Sequence, residues 1–371
     1  MSLFELRGKL SQQQNFILGI IGFLLLLLIW WGLAEYFADY RKNVQTMTHP
    51  PSMFDTTAVH INRDSLFRAD SIRYANATDS TKVYPILPPP MKVLMSFPSL
   101  IKEDHLMKDA RRSIWLNLKG YFWALFISIP LGFIVGLFPL FRGLFSKQVD
   151  AMRYLPLTAV TGLFITWFGI DDTMKVSFLA FGIIVYLLPV VVQRIDEVKD
   201  VYLKTVFTLG ANSWQTIKTV YFPSVLSKLM DDIRVLTAIS WTYIIIAELI
   251  NRQGGLGARI YLMARQGHLE KVFAILIVII IIGFLQDRLF IYLDKRLFPF
   301  KYVKTTDSIS KEANYGIYTI LGLFAFAVLL PSFFGALPEW LGNFGMIGFI
   351  SGVIMIVYGE VRGLRLKTTS N

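Results

Sequence analysis

Residues 194–223 read RIDEVKDVYLKTVFTLGANSWQTIKTVYFP, a water-compatible, amphipathic passage set between apolar runs long enough to cross a bilayer. Backbone polar groups inside hydrocarbon must be satisfied within a helix or a closed barrel, so a polar stretch here belongs outside the membrane and has a use there. Within it Val198, Val201, Tyr202, Thr205 and Leu209 share one helical face, and Gly210-Ala211-Asn212-Ser213 breaks the pattern. A second short helix is expected over 214–222, stopping at Pro223, which donates no backbone hydrogen bond and crowds the preceding turn. Two short helices about a glycine corner form a rigid knob suited to a partner protein; an interfacial loop without a partner is the alternative.

The flanks of this stretch set the class of the molecule. Of 371 residues, 54% are hydrophobic and only 17% charged, too apolar for one soluble core, so the chain is expected to be an all-α polytopic membrane protein. The net charge of +11 lies beside apolar spans and not in patches interleaved with aromatic residues, which argues against nucleic acid. Cysteine is absent, which removes disulfides and thiolate metal sites. His49, His60, His105 and His268 lack ligand spacing, so no metal is expected.

Apolar runs at 16–34, 114–141, 152–169, 176–192, 229–250, 272–292, 315–330 and 337–358 read as eight spans. The first, preceded by Arg7 and Lys9, is too long for a signal-peptide core and is expected to be an uncleaved anchor. Residues 41–82 read as an irregular or partly disordered extracytoplasmic insertion, in which the Asn76-Ala77-Thr78 sequon carries no meaning. Residues 91–108 read as an amphipathic surface segment, and a short turn near Pro331 and Gly335 joins the last two spans. With the N-terminus inside, Arg142, Lys147, Arg194, Lys199, Lys204, Lys218, Lys228, Arg288, Lys295, Arg296, Lys301, Lys304, Lys311, Arg362, Arg365 and Lys367 fall on the cytoplasmic side. Only Lys175, Arg252, Arg259 and Arg265 fall in short outer loops. Both termini and the 194–223 stretch are then cytoplasmic.

The spacing of Lys204-Thr205-Val206, Gly210, Val220 and Phe222-Pro223 resembles the EAA signature of ABC-importer permeases, although Glu-Ala-Ala is replaced outright. Further motifs resemble the nitrate, sulfonate and taurine branch of that family: Leu87-Pro88-Pro89-Pro90, Leu155-Pro156 through Trp167-Phe168-Gly169-Ile170, Ala247-Glu248-Leu249, Gly255-Leu256-Gly257, and Asp287-Arg288 with Lys295-Arg296. The resemblance covers about 87–302 together with the first span. It implies a type I ABC importer permease core of about six helices, the N-terminal one included, plus two extra C-terminal transmembrane helices. The implied domains are 1–35, an N-terminal helix; 36–112, an extracytoplasmic segment; 113–302, the core with its coupling loop; and 303–371, two added helices and a tail.

The resemblance further implies a transport subunit and not an enzyme, set in the bacterial cytoplasmic (inner) membrane. No cofactor is implied in this chain, since ATP and Mg2+ belong to a separate cytoplasmic ABC ATPase. An extracytoplasmic substrate-binding protein and a second copy of the permease, as a homodimer, complete the implied assembly. A small anion of the nitrate, sulfonate, taurine or bicarbonate class is the implied substrate. The residues matched to ATPase coupling are Tyr202, Lys204, Thr205, Gly210, Ala211, Trp214, Phe222 and Pro223. Those matched to the translocation path or gate are Glu248, Gly255, Leu256 and Gly257.

Blander readings stand beside these. Glu248 near a span end also fits a carboxylate paired with Arg252 at i+4, and Asp231 and Asp232 fit helix N-terminal capping. Gly254-Gly255-Leu256-Gly257 lacks the lysine and preceding strand of a phosphate loop and reads as a tight outer turn. No Gly-x-Ser-x-Gly elbow marks a hydrolase. The alternative class is a membrane scaffold or signalling protein that keeps the permease fold. A secondary carrier is disfavoured by the lack of paired polar groups at mid-membrane.

Overall fold

The computed structural model describes residues 10–42, 72, 80–302, 311–334 and 339–369. They fall into two compact units, 1–104 with 263–276, and 105–262 with 277–371.

In the first unit, Gln12–Tyr36 (α1) starts on a reciprocal cap. The Ser11 hydroxyl accepts from the Gln14 N–H at 3.2 Å, and the Gln14 side chain accepts from the Ser11 N–H at 3.0 Å. Of its residues α1 buries only Ala34, as suits an apolar helix facing lipid. Asp39–Lys42 (β1) pairs antiparallel with Ser80–Val83 (β2), Asp39 opposite Val83. The insertion is therefore closed at its base by a strand pair and is not irregular there. Lys82 and the Tyr84 hydroxyl both donate to Glu35 and fasten this base to the end of α1. The rest of the expected insertion, including the Asn76 sequon and apart from Ile72, lies outside the described residues.

The surface segment expected over 91–108 is divided into Pro90–Met95 (α2) and Phe97–Lys102 (α3). Pro98 has no N–H to give a preceding turn and so sits in the first turn of a new helix. His105, with φ 54, then turns the chain.

The second unit carries the core. Leu106–Leu137 (α4), Pro139–Met152 (α5), Leu157–Phe168 (α6) and Asp172–Asp196 (α7) follow in order. Helices α4 and α7 run parallel. Near their starts Arg112 donates to both carboxylate oxygens of Asp172, at 3.0 and 3.1 Å. Just past the end of α4, Arg142 grips Asp196 at the end of α7, at 2.7 and 2.6 Å. The helices approach at Gly132 and Gly136, where an added Cβ would lie 2.5 Å from Val191 and 2.6 Å from Ile195. Small residues four apart permit such backbone contact between membrane helices.

A parallel pair requires the link to carry the chain back to the starting end. The span expected over 152–169 does not do this alone: α6 is about 18 Å long at 1.5 Å per residue, short of about 30 Å of hydrocarbon. The return is made in two pieces, because Pro139 and Pro156 each forbid continuation of the helix before them. Phe164 seats α6 on α7, its ring 5.6 Å from Phe178 and 5.5 Å from Phe181, in a core shared with Leu157, Met174 and Ala247. Among the described residues, seven helices and not eight are long and apolar enough to cross a membrane.

Asp200–Thr208 (α8) and Ser213–Thr216 (α9) follow, then a π-turn over Ile217–Tyr221 that leads without a break into Phe222–Asn251 (α10). Pro223 does not stop the helix as expected. The wide turn before it takes up the carbonyl that the proline ring would strike and the bond it cannot make. The span expected from Leu229 thus begins at Phe222, and Asp231 and Asp232 lie inside it. Their capping role is replaced by pairing, Asp231 with Lys301 at 2.8 Å and Asp232 with Arg194. Helix α10 runs antiparallel to α7, for Asp232 meets Arg194 at one end while Asn251 Nδ2 donates to the Ile170 carbonyl at the other, at 2.6 Å.

Leu256–Arg265 (α11) and Leu269–Leu297 (α12) follow; residues 263–276 belong to the first unit, and 256–262 and 277–297 to the core. Arg234 Nε donates to Asp287 at 3.0 Å and Trp241 Nε1 to Gln286 at 2.8 Å, joining α10 to the later part of α12. Lys311–Phe334 (α13) and Glu339–Thr369 (α14) form a close hairpin in which a Cβ on Gly316 would fall 2.6 Å from the Gly352 carbonyl. Pro331 lies within α13 and not in the turn; the turn itself, 335–338, lies outside the described residues. The hairpin is tied to the core by Tyr292, whose hydroxyl donates to Glu360 at 2.6 Å, by Arg296 on the same carboxylate, and by Trp115 edge-on to Phe324.

Candidate functional site

The 194–223 passage forms an elbow at the end of the core where α7 finishes and α10 begins. Helix α8 ends on Gly210, whose φ of +80 is costly for any residue with a Cβ. Its N–H donates to the Phe207 carbonyl at 3.0 Å and the next N–H, of Ala211, to Val206 at 3.1 Å, the paired bonds of a Schellman C-cap. Asn212 then starts α9 with a capping box: its Oδ1 accepts from the Gln215 N–H at 2.8 Å, and Gln215 Oε1 accepts from the Asn212 N–H at 2.9 Å. Gly-Ala-Asn-Ser is a stop followed at once by a start, which fixes the angle of the elbow.

Helix α8 buries none of its residues. Tyr202, Lys204 and Thr205 are exposed, Leu209 is 80% exposed and Trp214 on α9 is 71% exposed. Of the apolar face expected on α8 and its flanks, only Val198 is buried; Val201, Tyr202 and Leu209 face away from the chain. Phe222 and the half-buried Pro223 belong to the root of the elbow, where the Phe222 ring lies 5.8 Å from Phe133. Phe207, also exposed beside the corner, completes the apolar tip and was not singled out by spacing.

The base of the elbow carries charges that sequence motifs do not connect. Arg194 makes two bonds to Asp232, at 2.7 and 2.8 Å, and two to Glu197, at 2.9 and 2.7 Å. Lys228 Nζ reaches the Glu197 carboxylate at 3.1 Å and its backbone carbonyl at 3.2 Å. Arg194, and after it Lys228, hold the Glu197 carboxyl below its ordinary range.

At the opposite end of the core the structure brings Glu248, Gly255, Leu256 and Gly257 together. Glu248 is fully buried; it accepts from the Ser113 hydroxyl at 2.6 Å and from the Gly257 N–H at 2.8 Å. The Gly255 N–H donates to Asp109 at 3.2 Å and the Leu256 N–H to Ser113 Oγ at 2.9 Å. Three side chains thus satisfy three successive amides at the start of α11, two of them carboxylates favoured by the helix dipole. A Cβ on Gly255, where φ is +99, would lie 2.2 Å from Glu248 Oε1, so the carboxylate and the glycine require each other.

The expected pairing of Glu248 with Arg252 does not form. Arg252 is the left-handed C-cap of α10, with its guanidinium 4.0 Å from the Tyr261 ring centroid. Lys175, expected in an outer loop, is fully buried in α7 with Nζ 3.2 Å from Asp172. Arg259 also pairs with Asp109, at 2.9 Å. Carboxylates and cations alternate here, so the cluster is a balanced clamp on the 254–257 turn.

A model of the family described as binding-protein-dependent transport system inner membrane component matches residues 128–299. An aliphatic sulfonates transport permease protein, SsuC, of Bacillus subtilis (strain 168) is 26% identical over 219 residues, 58% of this chain and 78% of that one. The taurine transport system permease protein TauC of Escherichia coli (strain K12) is 28% identical over 218 residues, 57% of this chain and 79% of its own length. A solved structure of the MetNI methionine ABC transporter is similar over 53% of this chain and 98% of that chain, with 17% identity and a TM-score of 0.45. Residues 128–299 thus match the binding-protein-dependent transport system inner membrane components, and the relatives that resemble this stretch are named as transport permeases.

Proposed function

We propose that the chain is the membrane-spanning subunit of an ATP-driven importer and that its elbow docks on a separate cytoplasmic ABC ATPase. The observation that carries this reading is the elbow itself: a corner stiffened by two caps, presenting Tyr202, Phe207, Leu209 and Trp214 exposed at the end of a membrane core, uncovered among the described residues. A lever has to be stiff and must offer an apolar anchor to whatever moves it.

In this reading the elbow end of the core faces the cytoplasm, both termini lie there, and the Glu248 clamp faces outward. The seven long helices and the two-piece return through α5 and α6 keep that parity. A second copy of the chain and an extracytoplasmic binding protein complete the transporter, and the proposed domains are those expected at 1–35, 36–112, 113–302 and 303–371. The relatives named for sulfonates and taurine support a small anion as substrate. In the clamp, Glu248, Gly255, Leu256 and Gly257 hold the outer turn beside the path. The test is purification in detergent with the candidate ATPase: Leu209→Asp with Trp214→Asp should abolish its retention, and retention unchanged from wild type would refute the docking role.

A further inference from the structure

The elbow has two roots, and they differ. On one side α9 continues through the π-turn into α10 as an unbroken helical path from Ser213 to Asn251. On the other side the helix stops: Glu197, Val198 and Lys199 are non-helical between α7 and α8. The Glu197 and Val198 N–H groups still bond back to Gln193 and Ile195, at 3.1 and 3.2 Å, but Lys199 is extended, at φ −68 and ψ 130, and breaks the helical ladder before α8, so a load applied to α8 would bend the chain there before it moved α7.

A cluster of four charged side chains at this end of the core is built across that joint. Glu197 is the first residue of the joint; Arg194 holds its carboxylate from the α7 side, and Lys228 holds both its carboxylate and its carbonyl from the α10 side. Arg194 is shared with Asp232, so one guanidinium binds α7, the joint and α10 together. Planar, bidentate guanidinium contacts fix orientation as well as distance, which a lone lysine contact does not. Arg142 on Asp196 adds α5 to the same end, and Val198 is buried.

We infer that Arg194, Glu197, Lys228 and Asp232 form a lock on the α7–α8 joint, so that α7, α8 and α10 turn as one body when the elbow is pushed. These four are positioning residues; none belongs to the exposed tip. The inference rests on the docking role proposed above for its use in transport, but the stiffness it asserts is a property of this chain alone and is measured without the ATPase.

The chain has no cysteine, so spin labels can be placed on full-length permease at Leu209→Cys, on the α8 side of the corner, and at Ile170→Cys, beyond the far end of the core. Both positions are exposed. Dilution with unlabelled chain leaves only distances within one chain. With the native lock the distance distribution should be narrow. In Glu197→Gln with Lys228→Met its width should grow roughly twofold, as a freed joint samples several backbone wells. Lys228→Arg should keep it narrow, and so should Lys199→Met, which removes a neighbouring charge outside the lock. Each lock substitution is also made singly, at side chains 33% and 42% exposed, so that a folded variant is at hand. A width unchanged in the single and double variants, or broadened equally by Lys199→Met, would overturn the lock. Failure of the wild-type chain to bind an ABC ATPase would instead overturn the docking role and leave this measurement standing.

Discussion

Gly257 donates its backbone N–H to Glu248 Oε2 at 2.8 Å, closing a turn between α10 and α11 around a carboxylate with no exposure to solvent. The same carboxylate takes the Ser113 hydroxyl from α4 at 2.6 Å. One side chain therefore satisfies donors from two other elements, and its loss strands both.

Glu248→Ala should destabilise the protein by about 1–3 kcal/mol, the usual cost of a buried donor left without an acceptor. Glu248→Gln keeps one acceptor oxygen and should cost less. Thermal unfolding in detergent orders the three proteins; equal midpoints would show that the clamp carries no stability.

Gly210→Ala and Gly255→Ala separate two demands on glycine. At Gly210 nothing lies within 4 Å of an added Cβ, so only the left-handed backbone is strained, by about 1–2 kcal/mol. At Gly255 the same strain is joined by a clash with Glu248. The midpoint of Gly255→Ala should fall clearly below that of Gly210→Ala, and the reverse order would contradict the geometry of the outer turn.

The parallel contact of α4 and α7 predicts an overpacking effect. Gly132→Leu drives a side chain into Val191 and should cost about 1–3 kcal/mol or prevent accumulation of the protein. Gly143→Leu, where a Cβ meets nothing within 4 Å, is the control and should melt like wild type.

Glu197 gives the lock a pH dependence. Its carboxyl titrates below the ordinary value of 4.5 because the charged form is bonded to Arg194 and Lys228. A folded-state value below the unfolded one contributes stability that is present above the unfolded value and lost as pH falls through the folded value. The difference in melting midpoint between wild type and Glu197→Gln should be constant near neutrality and shrink only in acid below that range. A difference that shrank between pH 6 and 8 would point to another group.

Much of this was legible in the residues, and the failures have local causes. Long apolar runs located the spans, and Gly210 and Asn212 marked the corner because capping depends on neighbours a few residues away. Pro223 was misread as a stop because the π-turn that rescues it has no signature of its own. The 152–169 run was misread as a full span because Pro156, inside it, delays the helix to Leu157 and leaves it too short to cross. Asp231 and Asp232 fit caps only for a helix that begins at Leu229, and this one begins at Phe222. Lys175, Ser113, Asp109 and the Arg194 lock were invisible as a group, since their partners come from α4, α7 and α10 and no spacing within one segment announces them.

The most direct measurement of the coupling role places a single cysteine at Leu209 or Trp214, carrying a short thiol-reactive photocrosslinker, in full-length permease purified with its candidate ABC ATPase. Both positions should give an adduct with the ATPase, located by peptide sequencing in that subunit, while the same probe at Ile170 should give none. Adducts formed from Ile170 but not from Leu209 or Trp214 would place the ATPase at the wrong end of the core and refute the docking of the elbow.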